Sequence, residues 1–270
     1  MKINVLVVTH KSYWMPRDKV YLPILVGNNL VKEKYLRDNI GENISLKNKN
    51  YCELTALYWA WKNLQFDYIG LCHYRRYFMV SIRKIFFRKP SLSIEDLFLS
   101  KDGWYNKLKK ILIMGKKDYE EILHKYDVIV ARKMPLLNNL TVEEDYRNQH
   151  KEKDLKVLRE VIKDIYPEDI KYFDKILGEK KIHLFNMFVM NNKYFNEYCK
   201  WLFTILFELE NRIDISDYDN YQARVYGFLA ERLFNVWLLK KNLNIYEANI
   251  SFLDNEFKIG GFIKSFIKKL

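Results

Sequence analysis

Residues 68–78 run from a short apolar stretch, Tyr68 to Cys72, straight into His73, Arg75 and Arg76 held among Tyr74, Tyr77 and Phe78. Two adjacent guanidiniums present forked donors that match phosphate geometry, and the flanking rings can stack on a base or sugar or hold the arginine planes. The apolar stretch has the length of a buried strand, and a cationic cluster at the carboxyl end of a strand is where open α/β sheets bind ligands. Binding of an anion is the chemistry these residue types support. The same pair also reads as two surface arginines closing salt bridges, a reading that spacing alone leaves open.

The elements that position this cluster alternate in kind. Met1 to His10 predicts a first strand, its apolar run too short for a signal peptide and without a small-residue cleavage site after it. A second short strand is expected over Val20 to Val26, stopped by Gly27, followed by a polar loop from Asp38 to Ser45. Asn50 stands three residues before Glu53, the spacing of a capping box, and Leu54, Leu57, Tyr58 and Trp61 follow at helical intervals, predicting one helix from Tyr51 to Leu64. Strand, loop, helix and strand in that order predict a parallel crossover and an α/β sheet. Further strands are expected over Asp127 to Ala131 and His183 to Met190, with helices over Asp154 to Ile165, Tyr194 to Glu210 and Tyr221 to Lys240. The last helix is largely apolar, so its Glu231 stands out.

Composition narrows the class. The 270 residues are 49% hydrophobic and 16% aromatic, which supports a substantial core, and no stretch has the composition of a disordered linker. Cys52, Cys72 and Cys199 are odd in number, far apart and set in apolar segments, so they read as buried thiols in a reducing compartment and not as a disulfide framework or a metal cluster. No apolar run approaches the roughly 18 to 20 residues needed to span a bilayer. A net charge of +12 favours an anionic partner. From Ser81 to Lys117 there are ten Lys and Arg against three acids, mixed with Phe86, Phe87, Phe98, Trp104 and the apolar run Ile111 to Met114. Residues 257–270 repeat the theme, with Phe262, Phe266, Ile267 and Leu270 beside Lys264, Lys268 and Lys269. Both read as amphipathic elements that seek an anionic membrane surface, each basic residue contributing about 1 kcal/mol there. A basic excursion packed on the body and an ordinary docking helix are the alternatives.

Three blocks of this chain, Asp38 to Ser45, Asn50 to Asn63 and His73 to Phe78, resemble a family of bacterial capsular and exopolysaccharide biosynthesis proteins. That family is long catalogued as a domain of unknown function and is regarded as glycosyltransferases of the GT-A type. The resemblance continues through residues 186–190, 198–203 and 227–234, and fits least well over 81–112, which reads as an insertion. It implies a mixed GT-A-like, Rossmann-like sheet flanked by helices, one domain over residues 1–256 carrying the basic insertion at about 81–117, and a basic tail over 257–270. It further implies an enzyme that moves a sugar from a nucleotide-sugar donor, a UDP-sugar with galactofuranose a plausible sugar, onto a lipid-diphosphate-linked saccharide. The protein would then work in the cytoplasm, peripheral on the inner face of the membrane.

Most GT-A enzymes hold the donor diphosphate with an Asp-x-Asp motif and a manganese or magnesium ion just after a central strand. Here the matching place holds His73, Tyr74, Arg75 and Arg76, so the resemblance implies that Arg75 and Arg76, with His73, take over from the metal. Metal ligands elsewhere, at Asp127 or in the Asp214 to Asp219 turn, are the opposing reading. Thr9 and His10 end the first strand where this fold meets a nucleobase, although His10 also reads as a loop cap. Asp38, Asn39 and Asn43 lie on the donor side by the same resemblance; turn-forming residues would look identical. Asn186 could bond a sugar hydroxyl or be a satisfied buried amide. An inverting transferase needs a carboxylate to deprotonate its acceptor, and Glu231 is the candidate, with Arg224, a candidate acceptor- or sugar-binding residue, seven residues earlier on its face. The same spacing allows a structural contact, and Asp217 and Asp145 are the other candidate bases. A nucleic-acid-binding protein is disfavoured because no recognition module or zinc spacing is present. A scaffold without catalysis in a polysaccharide assembly complex is the remaining alternative.

Overall fold

A strand covered on both faces must send alternate side chains into different cores, and β1 (Ile3–Thr9) does so: Leu6 and Val8 join one buried cluster, Ile3, Val5 and Val7 the other. The computed structural model describes residues 1–80 and 110–253. Among these, β2 (Tyr21–Leu25) and β3 (Leu36–Arg37) follow β1, and β4 (Tyr68–His73) returns beside it. Next come β5 (Arg76–Met79), β6 (Val128–Ala131), a small β7 (Met134–Pro135) paired with β8 (Lys181–Ile182), then β9 (Phe188–Asn191) and β10 (Ile245–Phe252). The parallel core is β3, β2, β1 and β4. β9 lies antiparallel to the first part of β4 and to β6, and β10 runs parallel to β6 and antiparallel to β5. The chain leaves β1 towards β2 on one side and leaves β4 towards β5 on the other. The switch point therefore falls between the carboxyl ends of β1 and β4, where such sheets leave a crevice.

Helices cover both faces: α1 (Asn48–Tyr51), α2 (Leu54–Asn63), α3 (Lys116–Leu123), α4 (Val142–Gln149), α5 (Glu152–Ile165), α6 (Ile170–Leu177), α7 (Asn192–Arg212) and α8 (Val225–Lys241). The larger core is aromatic. Tyr51 stacks on Tyr226 at 4.6 Å, and Tyr198 lies against Phe188, Phe234 and Trp237. On the opposite face Tyr21 and Tyr119 share a hydrogen bond of 2.9 Å beneath α3. Gly70 is dictated by packing, since a Cβ there would stand 2.7 Å from Val189 Cγ2 and 2.8 Å from the Phe188 carbonyl oxygen.

Two predicted elements are corrected. The single helix expected over Tyr51 to Leu64 is broken at Cys52 (φ 51°, ψ −128°), and no capping box joins Asn50 to Glu53. Both side chains are drawn away by tertiary partners: Asn50 Nδ2 donates to the Ala223 carbonyl at 2.8 Å and Glu53 accepts from Asn186. The strand expected over His183 to Met190 begins only at Phe188, because Phe185 (φ 76°) and Asn186 (φ 51°) turn the backbone out of the extended region.

Residues 81–109 and 254–270, which hold most of the basic insertion and the basic tail, lie outside the described residues. The apolar end of the insertion belongs to the core and not to a surface-seeking face: Leu112, Ile113 and Met114 are buried, and Ile113 bridges to Met79. Among the described residues no helix is long and apolar enough to cross a membrane.

Candidate functional site

At the carboxyl end of β4 a two-residue turn, Tyr74 and Arg75, reverses the chain so that His73 pairs across from Arg76. Three groups from this turn and from α8 converge on one residue. The His73 Nε2–H donates to the Phe185 carbonyl oxygen at 2.8 Å, since a carbonyl can only accept. The Arg76 guanidinium lies over the Phe185 ring at 4.6 Å, and the Phe185 N–H donates to Glu231 Oε1 at 2.9 Å. The next residue, Asn186, donates through Nδ2 to Glu53 Oε1 at 2.7 Å and to the Gly227 carbonyl at 3.4 Å. Its Oδ1 is buried without a hydrogen-bond partner among the described residues. Such an atom is costly unless something donates to it. Arg224, just before α8, donates from Nε to Cys52 Sγ at 3.2 Å, close above Gly227.

Backbone strain gathers at the same place. Cys52, Phe185 and Asn186 all have positive φ and none is glycine. Conformations of this kind cost on the order of 1–3 kcal/mol each and persist where surrounding contacts over-determine them, as the bonds above do. Burial holds the His73 imidazole below its ordinary value, against the pull of Glu53 and with the help of Arg76 and Arg224. Burial raises the proton affinity of Glu231, and Glu53 adds to that against the pull of Arg232 and Arg76. Burial likewise pushes the Cys52 thiol up to about 11, so it is no nucleophile at neutral pH.

The structure thus brings His73, Arg76, Asn186, Arg224 and Glu231 into one electrostatic neighbourhood and adds Glu53 to them. The two carboxylates differ in their freedom. Glu231 has both oxygens engaged, by the Phe185 N–H and by Arg232 at 3.3 Å, while Glu53 Oε2 makes no hydrogen bond among the described residues. Sequence reasoning assigned Glu53 to a cap and missed it. The signal was present: it is the lone charge between Tyr51 and Trp61.

Of the other predicted residues, His10 and Arg75 meet on the Tyr74 ring at the switch point, and the rest stand apart from them. His10 meets the Tyr74 ring edge-on at 5.4 Å, Tyr13 packs on the same ring at 4.9 Å, and Arg75 lies over it at 5.1 Å. Burial, then Lys11 and Arg75, hold His10 below its ordinary value. Thr9 is buried and its hydroxyl donates to the Lys11 carbonyl. Asp38 is buried at the ends of β2 and β3, accepting from the Gly27 N–H at 3.1 Å and Ser45 Oγ at 2.6 Å, and burial raises its proton affinity. Asn43 directs both side-chain atoms to its own loop, to the Gly41 carbonyl and the Ser45 N–H, and Asn39 is exposed. Neither is joined to the His73 group by a hydrogen bond.

The donor set does not fit a divalent cation. Arg76 and Arg224 stand among the carboxylates, and among the described residues no three His, Cys, Asp or Glu side chains converge as ligands. The alternative positions serve the backbone: Asp127 accepts from the Asn244 N–H, Asp214 from the Ser216 N–H, and Asp219 from the Tyr221 and Gln222 N–H groups. Of the other candidate bases, Asp145 is buried and pairs with Arg232 at 3.4 Å, and Asp217 faces Lys153 at 3.7 Å.

Residues 4–242 match a family described as a domain of unknown function, DUF4422. Among solved structures, the apo structure of the bifunctional glycosyltransferase WbbM superposes with a TM-score of 0.79 at 27% identity, covering 93% of this chain and 45% of that one. The chain therefore spans less than half the length of that protein. No curated protein is detectably similar in sequence.

Proposed function

The chain belongs to the DUF4422 family, and from that membership and the geometry of the His73 group we propose that it is a glycosyltransferase of GT-A type using a nucleotide-sugar donor. The observation that carries this reading is the convergence of Arg76, Arg224, Glu53, Glu231 and the unpartnered Asn186 Oδ1 beside the switch point of a mixed sheet. The likeness to one part of a bifunctional glycosyltransferase supports it. In the reaction, the acceptor oxygen attacks the anomeric carbon, the bond from that carbon to the diphosphate oxygen breaks, and the nucleotide diphosphate leaves with the electron pair. Arg75 and Arg76 stabilise the charge that grows on the leaving group. His73 braces the Phe185 turn through its Nε2–H. The nucleobase lies against the His10, Tyr13 and Tyr74 rings at the end of β1, with Thr9 and Asp38 shaping that edge.

The acceptor proton passes to a carboxylate, and a single in-line displacement inverts the anomeric carbon. Glu53 is assigned this role because its Oε2 is open to a hydroxyl, while Asn186 fixes its other oxygen and offers Oδ1 to a sugar hydroxyl. Glu231 is the second reading, favoured by the proton affinity that burial confers on it. The donor is a UDP-sugar, galactofuranose by family resemblance. The acceptor is a lipid-diphosphate-linked saccharide of capsule, exopolysaccharide or O-antigen synthesis. A net charge of +12 supports work at the anionic inner face of the membrane. A thermal-shift screen of nucleotide diphosphates and their sugars tests the assignment, since a ligand that binds the native state raises its melting temperature. Stabilisation by one nucleotide family is expected; no shift with any of them contradicts the assignment.

A further inference from the structure

Beyond Arg224 stands a group of rings that the transfer step does not use. Phe228, in the first turn of α8, carries the His150 imidazole at 4.1 Å and 27° and the Tyr221 ring at 5.1 Å. His150 and Tyr221 are nearly parallel, 19° apart at 5.7 Å. Burial lowers the His150 pKa to about 4, so the imidazole is an uncharged plate at neutral pH. Gln222 accepts at His150 Nδ1 over 3.3 Å and anchors its amide nitrogen on the Gln149 carbonyl. The group is not simply a seal between α4 and α8, because Tyr221 leaves 49% of its surface in water while its ring is held in place by its neighbours. Arg224 ties it to the site: its guanidinium lies 5.3 Å over Phe228 while its Nε reaches Cys52.

We propose that Tyr221, Phe228 and His150 form a shelf that binds a hexose ring of the saccharide acceptor, an inference that rests on the transferase reading of the neighbouring site. A sugar presents an apolar face of C–H bonds that packs on aromatic rings, while its rim of hydroxyls seeks nearby amides and guanidiniums. Here the second N–H of the Gln222 amide and the terminal nitrogens of Arg224 supply that rim. A nucleobase also stacks on rings, but the rings at the β1 and β4 switch point already offer it a place beside Arg75 and Arg76. The shelf, carried by α8 and the end of α4, is left for the uncharged saccharide end of the acceptor.

The test uses the full chain with UDP present and a panel of methyl β-hexosides in pyranose and furanose forms, read by saturation-transfer NMR. Saturation should pass to the C–H protons of one face of at least one sugar. Tyr221→Ala should weaken that binding about fivefold, the worth of one stacked ring, and Tyr221→Phe should preserve it. Tyr221 is half exposed, so neither change threatens the fold, and the thermal shift given by UDP should be the same in both variants. Equal sugar binding in Tyr221→Ala, or no transfer to any sugar, would overturn the shelf while leaving nucleotide binding intact. Absence of UDP binding in the unmodified chain would count against the transferase reading instead, and weaker saturation of the sugar by Tyr221→Ala would then still support the shelf.

Discussion

Phe185 offers its carbonyl to His73, its ring to Arg76 and its N–H to Glu231, so a residue with no reactive group organises three that have one. This distinguishes the two carboxylates experimentally. Replacing Glu53 by Gln keeps an oxygen for Asn186 Nδ2, so folding should be preserved while turnover falls by about 10²- to 10⁴-fold, the usual worth of a general base. Replacing Glu231 by Gln weakens the acceptor for the Phe185 N–H and for Arg232, so stability should fall by about 1–3 kcal/mol, measured by urea unfolding. A Glu231→Gln variant of unaltered stability and abolished turnover would return the base role to Glu231. At this scale the sequence made His73, Arg76, Arg224 and Glu231 visible through residue type alone. Glu53 and the strained Phe185 stayed hidden because each has a local reading, a helix cap and a strand residue, that only tertiary contacts displace.

Among elements, those read correctly were the ones whose burial pattern is local. The periods of β1, β2, β4, β6, α5, α7 and α8 are written in their own side chains. The stretch after β8 was misread because its conformation is set from a distance. Asn235 clamps the His183 backbone on both sides, accepting its N–H at 2.9 Å and donating to its carbonyl at 2.8 Å, and Glu231 and Glu53 hold the following turn. β10 went unpredicted; its pairing with β6 and β5 is entirely non-local. The close approach of β9 to β4 gives a prediction of its own. Gly70→Ala drives a methyl group against Val189 and the Phe188 carbonyl and should cost about 1–3 kcal/mol, seen as a lowered melting temperature. Unchanged stability would mean that these strands are less tightly apposed than described.

Across the whole molecule, charge and protonation set the working conditions. The fold class was legible from the order of strands and helices, and the excess of cations from composition; the convergence of distant segments on Phe185 and Asn186 was not. Burial lowers the pKa of His73, His150 and His183, so the unfolded chain binds protons that the folded chain refuses. Each of these groups contributes stability that is present above the ordinary histidine value, near 6.5, and lost as pH falls towards its folded value. For His150 that window closes near its folded pKa of about 4. Raised carboxyl values at Glu231, Asp38 and Asp154 act in the opposite direction over part of the same range, so the sign is best read by difference. His150→Gln should flatten the fall in melting temperature between pH 6.5 and about 4 relative to the unmodified chain. An identical slope would show that His150 takes up its proton equally in both states.

In the proposed reaction, arginines at the end of β4 hold the diphosphate of a nucleotide sugar in place of a metal ion. Isothermal titration of UDP in the presence of EDTA, with the unmodified chain and with Arg76→Ala, is the decisive test. Binding that survives chelation and weakens about tenfold or more in the variant is the expected result, the worth of a charged hydrogen bond to phosphate. Binding that needs added manganese, or that is indifferent to Arg76, would contradict it.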